Sequence, residues 1–101
     1  MAIQEVTIAG NQARVALQGS IYVEESAEIM RKLKSLIDEG HTSFLIDFTD
    51  VDYIDSAGIG TLAAIHNRVR KRDGGVVIQG LNGLVMDMFM LTRAEKVFDM
   101  V

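Results

Sequence analysis

The sequence predicts a single α/β domain: a mixed β-sheet that opens with an antiparallel hairpin, with helices packed on the sheet. Short apolar segments alternate with longer segments whose apolar residues recur every three or four positions, a pattern typical of strands joined by helices. Only a short Gly-Asn connection separates the first two predicted strands, so these strands should run antiparallel. With 101 residues the chain can bury one core but not two, which predicts one domain over residues 1–101. The predicted element order is β-β-α-β-α-β-α-β.

The first half of the chain supplies the hairpin, one helix and one strand. Apolar and polar residues alternate in the first strand, and Gly10 and Asn11 mark the turn that follows it. Helical spacing of apolar residues then predicts a helix that ends at Gly40, a favoured C-terminal capping residue. The predicted elements are strands at residues 3–8 and 13–17 (ending near 19), a helix from about 24 to 40 and a strand at 43–48.

The second half continues the alternation of helices and strands. In its long helix, Ile59, Leu62 and Val69 share one face with Ala63 and His66. The Asp-Gly-Gly sequence at residues 73–75 ends this helix. The predicted elements are a helix at residues 57–72, a strand at 76–79, a short helix at 84–91 and an edge strand at 96–101.

Composition excludes several classes of protein. Ten basic and fourteen acidic residues give a net charge of −4, which argues against general nucleic-acid binding. A basic cluster at residues 68–72 is interpreted as complementing the dipole at the end of a helix. Without cysteine there is no disulfide, thiolate metal site or cysteine nucleophile. No apolar run reaches the roughly 20 residues that span a bilayer, and no signal-type segment opens the chain. We therefore expect a cytoplasmic protein that binds neither membrane nor nucleic acid.

One motif points to a nucleotide cofactor, but its context argues against that function. Residues 58–63 match the G-x-G-x-x-A dinucleotide fingerprint. The predicted strand ends at Phe48, too far upstream, and Gln79 and Gly80 stand where an acid should hold the ribose. A small nucleotide-binding protein or enzyme that uses the turn at Gly58 and Gly60 is therefore the least favoured of three hypotheses.

Metal and hydrolase sites are also disfavoured. Asp47, Asp50, Asp52 and Asp55 resemble a calcium loop only loosely, because Gly58 stands at the position where a glutamate should close it. No G-x-S-x-G elbow surrounds a serine, and the two histidines have no partner at ligand spacing. We expect no metal, no cofactor, no catalytic residue and no enzymatic activity.

Ser56 is the residue with the clearest functional potential, and it has two interpretations. It stands at the start of the long second helix, where serine commonly caps the free N–H groups of the first turn. It can equally be a surface hydroxyl that another protein modifies. Helical spacing would place Gly58, Thr61 and Ile65 on an outer surface beside Ser56, although a plain solvent-facing helix edge fits the spacing about as well.

Met86, Met88 and Met90 alternate in the short third helix. They are interpreted first as core packing, with an adaptable partner-binding surface as the alternative. This apolar segment also leaves open whether the protein is a monomer or a weak dimer.

The segment from Leu45 to Gly60 resembles the STAS-domain anti-sigma factor antagonists. Their hallmark is a hydrophobic strand, an Asp, a short turn and then Asp-Ser-(Ser/Ala)-Gly-(Leu/Ile)-Gly at the start of a helix. Residues 55–60 here read Asp-Ser-Ala-Gly-Ile-Gly. The element order is similar over nearly the whole chain, and the resemblance implies a STAS-like fold.

The resemblance also implies a phosphorylation-controlled partner switch. In this family the unphosphorylated antagonist binds an anti-sigma factor that is also a serine kinase, which releases a sigma factor. The kinase phosphorylates the matching serine, here Ser56, and a PP2C-type serine phosphatase removes the phosphate. ATP and magnesium belong to the kinase. The residues expected to contact the partner are Asp55, Ala57, Gly58, Gly60, Thr61, Ile65, Ser20 and Tyr22.

Charge around Ser56 predicts how phosphorylation would act. No Lys or Arg occurs between residues 35 and 67, and Asp55 adjoins the serine. A phosphoserine, with about −1.5 to −2 charges, would then project outward and block a partner without rearranging the fold.

Three departures from the family pattern affect these expectations. Tyr22 stands where relatives often have an Asp after the second strand, so partner choice is expected to differ unless Glu24 or Glu25 substitutes for it. Arg93 replaces a glycine that often ends the third helix, which predicts an altered cap. A further C-terminal helix of many relatives does not occur within residues 1–101. The alternative function is a STAS scaffold subunit of a larger signalling or transporter assembly, without a phosphorylation switch.

Overall fold

Five strands and three α-helices alternate along the chain, in the predicted order, in a computed structural model that describes residues 1–101. The strands are β1 (Ile3–Ala9), β2 (Gln12–Ile21), β3 (Ser43–Ile54), β4 (Gly75–Gln79) and β5 (Asp99–Met100). The helices are α1 (Val23–Asp38), α2 (Ser56–Arg70) and α3 (Gly83–Leu91), followed by a 3₁₀ turn at Ala94–Lys96. The predicted α/β class and opening hairpin are confirmed.

All strands belong to one mixed sheet in which spatial order follows chain order, β1-β2-β3-β4-β5. The β1–β2 pair is antiparallel and the other three pairs are parallel. Every crossover therefore moves in the same direction across the sheet, and right-handed crossovers then place α1, α2 and α3 on one face. The core lies on this face, where the cross-strand neighbours Val15, Ile46 and Ile78 are fully buried. On the opposite face the neighbouring pair Leu45 and Val77 is only half-buried.

The central strand is longer than predicted. We expected β3 to end at Phe48 and an acidic turn to follow, but β3 continues to Ile54 and remains paired with β2. Its register against β2 shifts twice, which breaks the regular alternation that reveals a strand in a sequence. Val51 and Ile54 are buried, whereas Asp50 and Asp52 point to solvent. Asp50 and Asp52 are therefore strand residues rather than turn residues.

The C-terminal segment is less regular than predicted. Only Asp99 and Met100 of the expected edge strand pair with β4. Arg93 follows the end of α3 with φ 60° and ψ 23°, the left-handed conformation that glycine adopts most readily. The end of α3 is therefore altered as expected, because an arginine and not a glycine adopts the left-handed conformation there.

His66 connects α2 to β4 through a partly buried hydrogen bond. Its Nδ1 accepts the Val76 N–H at 3.0 Å, and its ring lies edge-on to Phe98 with centroids 5.5 Å apart. Burial lowers the pKa of His66, the nearby Arg70 lowers it further, and Asp99 raises it in part. Because Nδ1 is the acceptor, this hydrogen bond requires the neutral imidazole.

We expect His66 to make folding stability depend on pH. An unfolded histidine binds a proton near pH 6.5, whereas folded His66 does so only at lower pH. The contribution of neutral His66 to the free energy of unfolding is therefore present above about pH 6.5. It is lost as pH falls through the lowered pKa of the folded state. Urea unfolding at several pH values between 7.5 and 5 measures this loss. His66→Gln, which keeps an acceptor but cannot titrate, should flatten the profile; an unchanged profile would contradict the assignment.

Candidate functional site

Asp55 joins the end of β3 to the start of α2 and caps the helix. Its backbone is extended, with φ −93° and ψ 178°, and its Oδ1 accepts the Gly58 N–H at 3.1 Å. Its own N–H donates to the Ile21 carbonyl at 3.1 Å, which ties the cap to the end of β2. The interpretation of Ser56 as the cap is therefore wrong. The capping oxygen belongs to the preceding carboxylate, because Asp55 is the last non-helical residue.

Ser56 is the first helical residue and is exposed to solvent. Its hydroxyl takes part in none of the side-chain hydrogen bonds of the structure, and the side-chain cap of the first turn comes from Asp55 instead. The remaining N–H groups of this turn point toward the same end of the helix. The serine thus combines an accessible hydroxyl with a backbone environment that tolerates negative charge.

Gly58 is a packing residue and not part of an outer surface. It is buried, and a Cβ built on it would lie 2.7 Å from Ile54 Cγ1 and 3.0 Å from Ile21 Cγ2. Only glycine lets the first turn of α2 lie this close to the ends of β2 and β3. Ile65 is also buried, at 1% exposure. The predicted surface of Gly58, Thr61 and Ile65 is therefore wrong in two of its three members, because their side of the helix faces the core.

The other predicted contact residues remain accessible to different degrees. Gly60 is exposed and has open space around it. Partly exposed members are Asp55, Ala57, Thr61 and Ser20. The argument against the dinucleotide fingerprint took Phe48 as the end of the strand. Because β3 in fact ends at Ile54, shortly before Gly58, that part of the argument is wrong. The buried position of Gly58 under Ile54 instead explains this glycine by helix–strand packing.

The aromatic rings of Tyr22 and Tyr53 border the site, and the sequence did not predict Tyr53 as part of it. The rings of Tyr22 and Tyr53 pack with centroids 5.3 Å apart, and Tyr53 pairs with Ser20 across the sheet. Tyr22 is half exposed, and the adjacent Val23 is 66% exposed. Tyr53 was missed because its segment was interpreted as a turn. The register of an extended β3 would have placed it beside the end of β2.

Glu25 has a structural task at this end of α1. Its carboxylate accepts the Tyr22 N–H at 2.9 Å and so caps the helix start. It is therefore not free to replace the acidic residue that Tyr22 displaces. Glu24 is exposed and remains available for that role.

Of the four aspartates considered for a metal, Asp47 is the one held in a network. It is buried and accepts hydrogen bonds from Arg14 Nη2 at 2.6 Å and from the Thr49 hydroxyl and N–H at 2.6 and 2.9 Å. Burial raises the pKa of Asp47, but the hydrogen bonds from Thr49 and the charge of Arg14 outweigh it and lower the pKa overall. No group of three or more His, Asp or Glu side chains is placed to hold a metal ion.

The site end of the molecule is acidic. Asp50, Asp52 and Glu24 are exposed, and the only ion pair of the chain joins Arg14 to Asp47 instead. No Lys or Arg lies between residues 35 and 67, the interval that contains Ser56. A negative group added to Ser56 therefore finds no cation on β3 or on the first half of α2.

Comparison with known proteins identifies the family of this chain. The STAS domain family model matches residues 4–101, and the chain belongs to this family. It is 27% identical to the anti-sigma-B factor antagonist of Bacillus subtilis (strain 168) over 89 residues, which cover 88% of this chain and 81% of that protein. None of the helices here is long and apolar enough to cross a membrane.

Solved structures show the same fold. A Thermotoga maritima protein, crystallised as a candidate anti-sigma factor antagonist, superposes with a TM-score of 0.87 at 15% identity, covering 95% of this chain and 83% of that chain. The anti-sigma factor antagonist SpoIIAA in its unphosphorylated form gives 0.80 at 16% identity, covering 99% and 87%. SpoIIAA of Bacillus in its phosphorylated form gives 0.77 at 16% identity, covering 99% and 91%. At these identities the likeness concerns the fold alone.

Proposed function

We propose that this protein is an anti-sigma factor antagonist that switches partners through phosphorylation of Ser56. Unphosphorylated, it binds an anti-sigma factor with serine kinase activity. Phosphorylated, it is released, and a PP2C-type serine phosphatase restores the free hydroxyl. The proposal places the exchange in the cytoplasm and gives this chain no catalytic role. Family membership and similarity to curated antagonists support it.

The single observation that carries the proposal is the state of the Ser56 side chain. It is exposed, free of internal hydrogen bonds and fixed in the first turn of α2. A kinase can therefore reach the oxygen without unfolding the helix. Ser56 Oγ would attack the γ-phosphorus of ATP bound to the kinase. The bond between the γ-phosphorus and the bridging oxygen of ADP breaks, and ADP leaves. The hydroxyl proton passes to a base of the kinase.

The consequence of phosphorylation follows from the surrounding charges. First-turn N–H groups tolerate the phosphate, so the fold should persist. Asp55 adjoins the new charge, and neither β3 nor the first half of α2 supplies a cation to pair with it. A partner that covers Ser56 must then bury or repel this charge, either of which weakens binding.

The contact surface around the acceptor is proposed from the exposed residues of the site. Tyr22 and Val23 supply its apolar part at the start of α1, and Gly60 and Thr61 continue it along α2. Aromatic side chains in such a position are frequent binding anchors. Gly58 and Ile65 are excluded from direct contact because they are buried, and they act by positioning the helix.

Incubation with the cognate kinase and labelled ATP tests the proposal. The wild type and Ser35→Ala should incorporate label, whereas Ser56→Ala should incorporate none. Ser35 is the matched control because it is an exposed helical serine outside the proposed contact surface. Equal labelling of Ser56→Ala would remove Ser56 as acceptor. A wild type that forms a stable large assembly and accepts no phosphate would instead favour the scaffold-subunit function.

A further inference from the structure

The outward face of α3 is apolar, unlike the surface of an ordinary helix. Leu84 and Met90 are each 54% exposed and Leu91 is 80% exposed. Asp87 is the only charged residue among the nine of this helix. The interpretation of Met90 as core packing is therefore wrong, whereas Met88 does pack partly against the core.

The orientation of α3 is fixed by its opposite side. Val85 and Phe89 are buried, and the Phe89 ring meets Phe48 edge-on at 5.5 Å and Phe98 at 6.0 Å between centroids. These contacts prevent the helix from rotating its apolar residues inward. The exposed apolar face is thus a permanent feature of the folded chain.

Asp87 lies at the centre of this face. Its neighbours three and four positions away on the helix surface are Gly83, Leu84, Met90 and Leu91, and none carries charge. A surface that covers the face must desolvate Asp87, which is costly unless a cation meets it. The covering surface must therefore be apolar with one positive charge.

The chain itself presents such a surface. Arg93 is exposed, it lies two residues beyond the end of α3, and no salt bridge occupies it. In an antiparallel pair of α3 helices related by a two-fold axis near Met90, Asp87 of each copy opposes Arg93 of the other. The same contact buries Met90 and Leu91 of both copies.

We propose that the protein forms a weak symmetric dimer through α3, centred on Met90 and selected by reciprocal Asp87–Arg93 pairs. This association does not depend on phosphorylation of Ser56. A single short helix covers much less than the roughly 800 Å² per partner of a standard stable interface. We therefore expect reversible association with a dissociation constant on the order of 100 μM.

Sedimentation equilibrium from 10 μM to about 1 mM, the range that brackets this constant, tests the dimer. Met90→Glu and Asp87→Arg should each raise the dissociation constant at least tenfold. The double variant Asp87→Arg with Arg93→Asp should return it to near the wild-type value, because both charges are exchanged. Ile8→Glu, a change at an exposed apolar residue on β1, is the matched control and should have no effect.

Two results would overturn the proposal. The first is a wild type that stays monomeric through the whole concentration range, which excludes a second copy as the occupant of this face. The second is a dimer that Met90→Glu does not weaken, which places the contact elsewhere. Circular dichroism of each variant confirms that it remains folded, as expected for exposed positions.

Discussion

Ser56→Asp should bind the anti-sigma factor at least about a hundredfold more weakly than the wild type, because an uncompensated like charge in an interface costs several kcal/mol. The added carboxylate stands beside Asp55, and neither β3 nor the first half of α2 carries a Lys or Arg that could neutralise it. Calorimetric titration with the partner measures the change. The effect should diminish at high salt to the extent that the charge stays exposed in the complex.

Ser56→Ala is the control for this prediction. It removes the hydroxyl without adding charge, and the cap is unaffected because Asp55 supplies it. We expect Ser56→Ala to bind within a few-fold of the wild type and to have nearly wild-type stability. Equal affinity of Ser56→Asp and Ser56→Ala would show that charge at this position does not control binding.

Gly74→Ala should lower the free energy of unfolding by about 3 kcal/mol or more, at the upper end of overpacking effects. Gly74 is buried between α2 and β4, and a Cβ there would overlap the backbone carbonyl oxygen of Thr42. This carbonyl cannot move away freely, since it accepts the Gly75 N–H at 3.1 Å. Urea denaturation measures the loss, which corresponds to a fall in melting temperature of at least roughly 10 °C for a domain of this size.

Gly60→Ala is the matched comparison and should have the opposite sign. Gly60 is an exposed helical residue with nothing near its missing Cβ, so alanine should stabilise α2 by nearly 1 kcal/mol. If both variants changed stability by similar amounts, the close approach of Gly74 to Thr42 would not be the cause.

The alternating pattern of the sequence was sufficient to predict the element order, because most strands and helices here have one buried side. Ile59, Leu62 and Val69 were placed correctly on the buried face of α2 for this reason. The extent of β3 was not predictable in the same way. Two register shifts against β2 disturb its alternation, and acidic residues on its exposed side imitate a turn.

The site was predicted in part. Ser56 is accessible as expected, but sequence alone could not assign the cap, since Asp55 and Ser56 are both favoured capping residues and only the backbone distinguishes them. Gly58 was placed outside because helical spacing gives relative positions and not the direction of the core. The short distance between α2 and the ends of β2 and β3, which makes that glycine necessary, arises from tertiary packing.

The ¹H–¹⁵N NMR spectrum of the chain before and after reaction with its cognate kinase and ATP tests the central claim most directly. The account predicts that one phosphate is added and that amide shifts concentrate around Ser56, in the first turn of α2 and the adjoining ends of β2 and β3. The amide chemical shifts of β1 and of the first half of β2 should stay unchanged. A phosphate on another residue, or widespread shifts through β1 and β2, would contradict an outward-facing switch at Ser56.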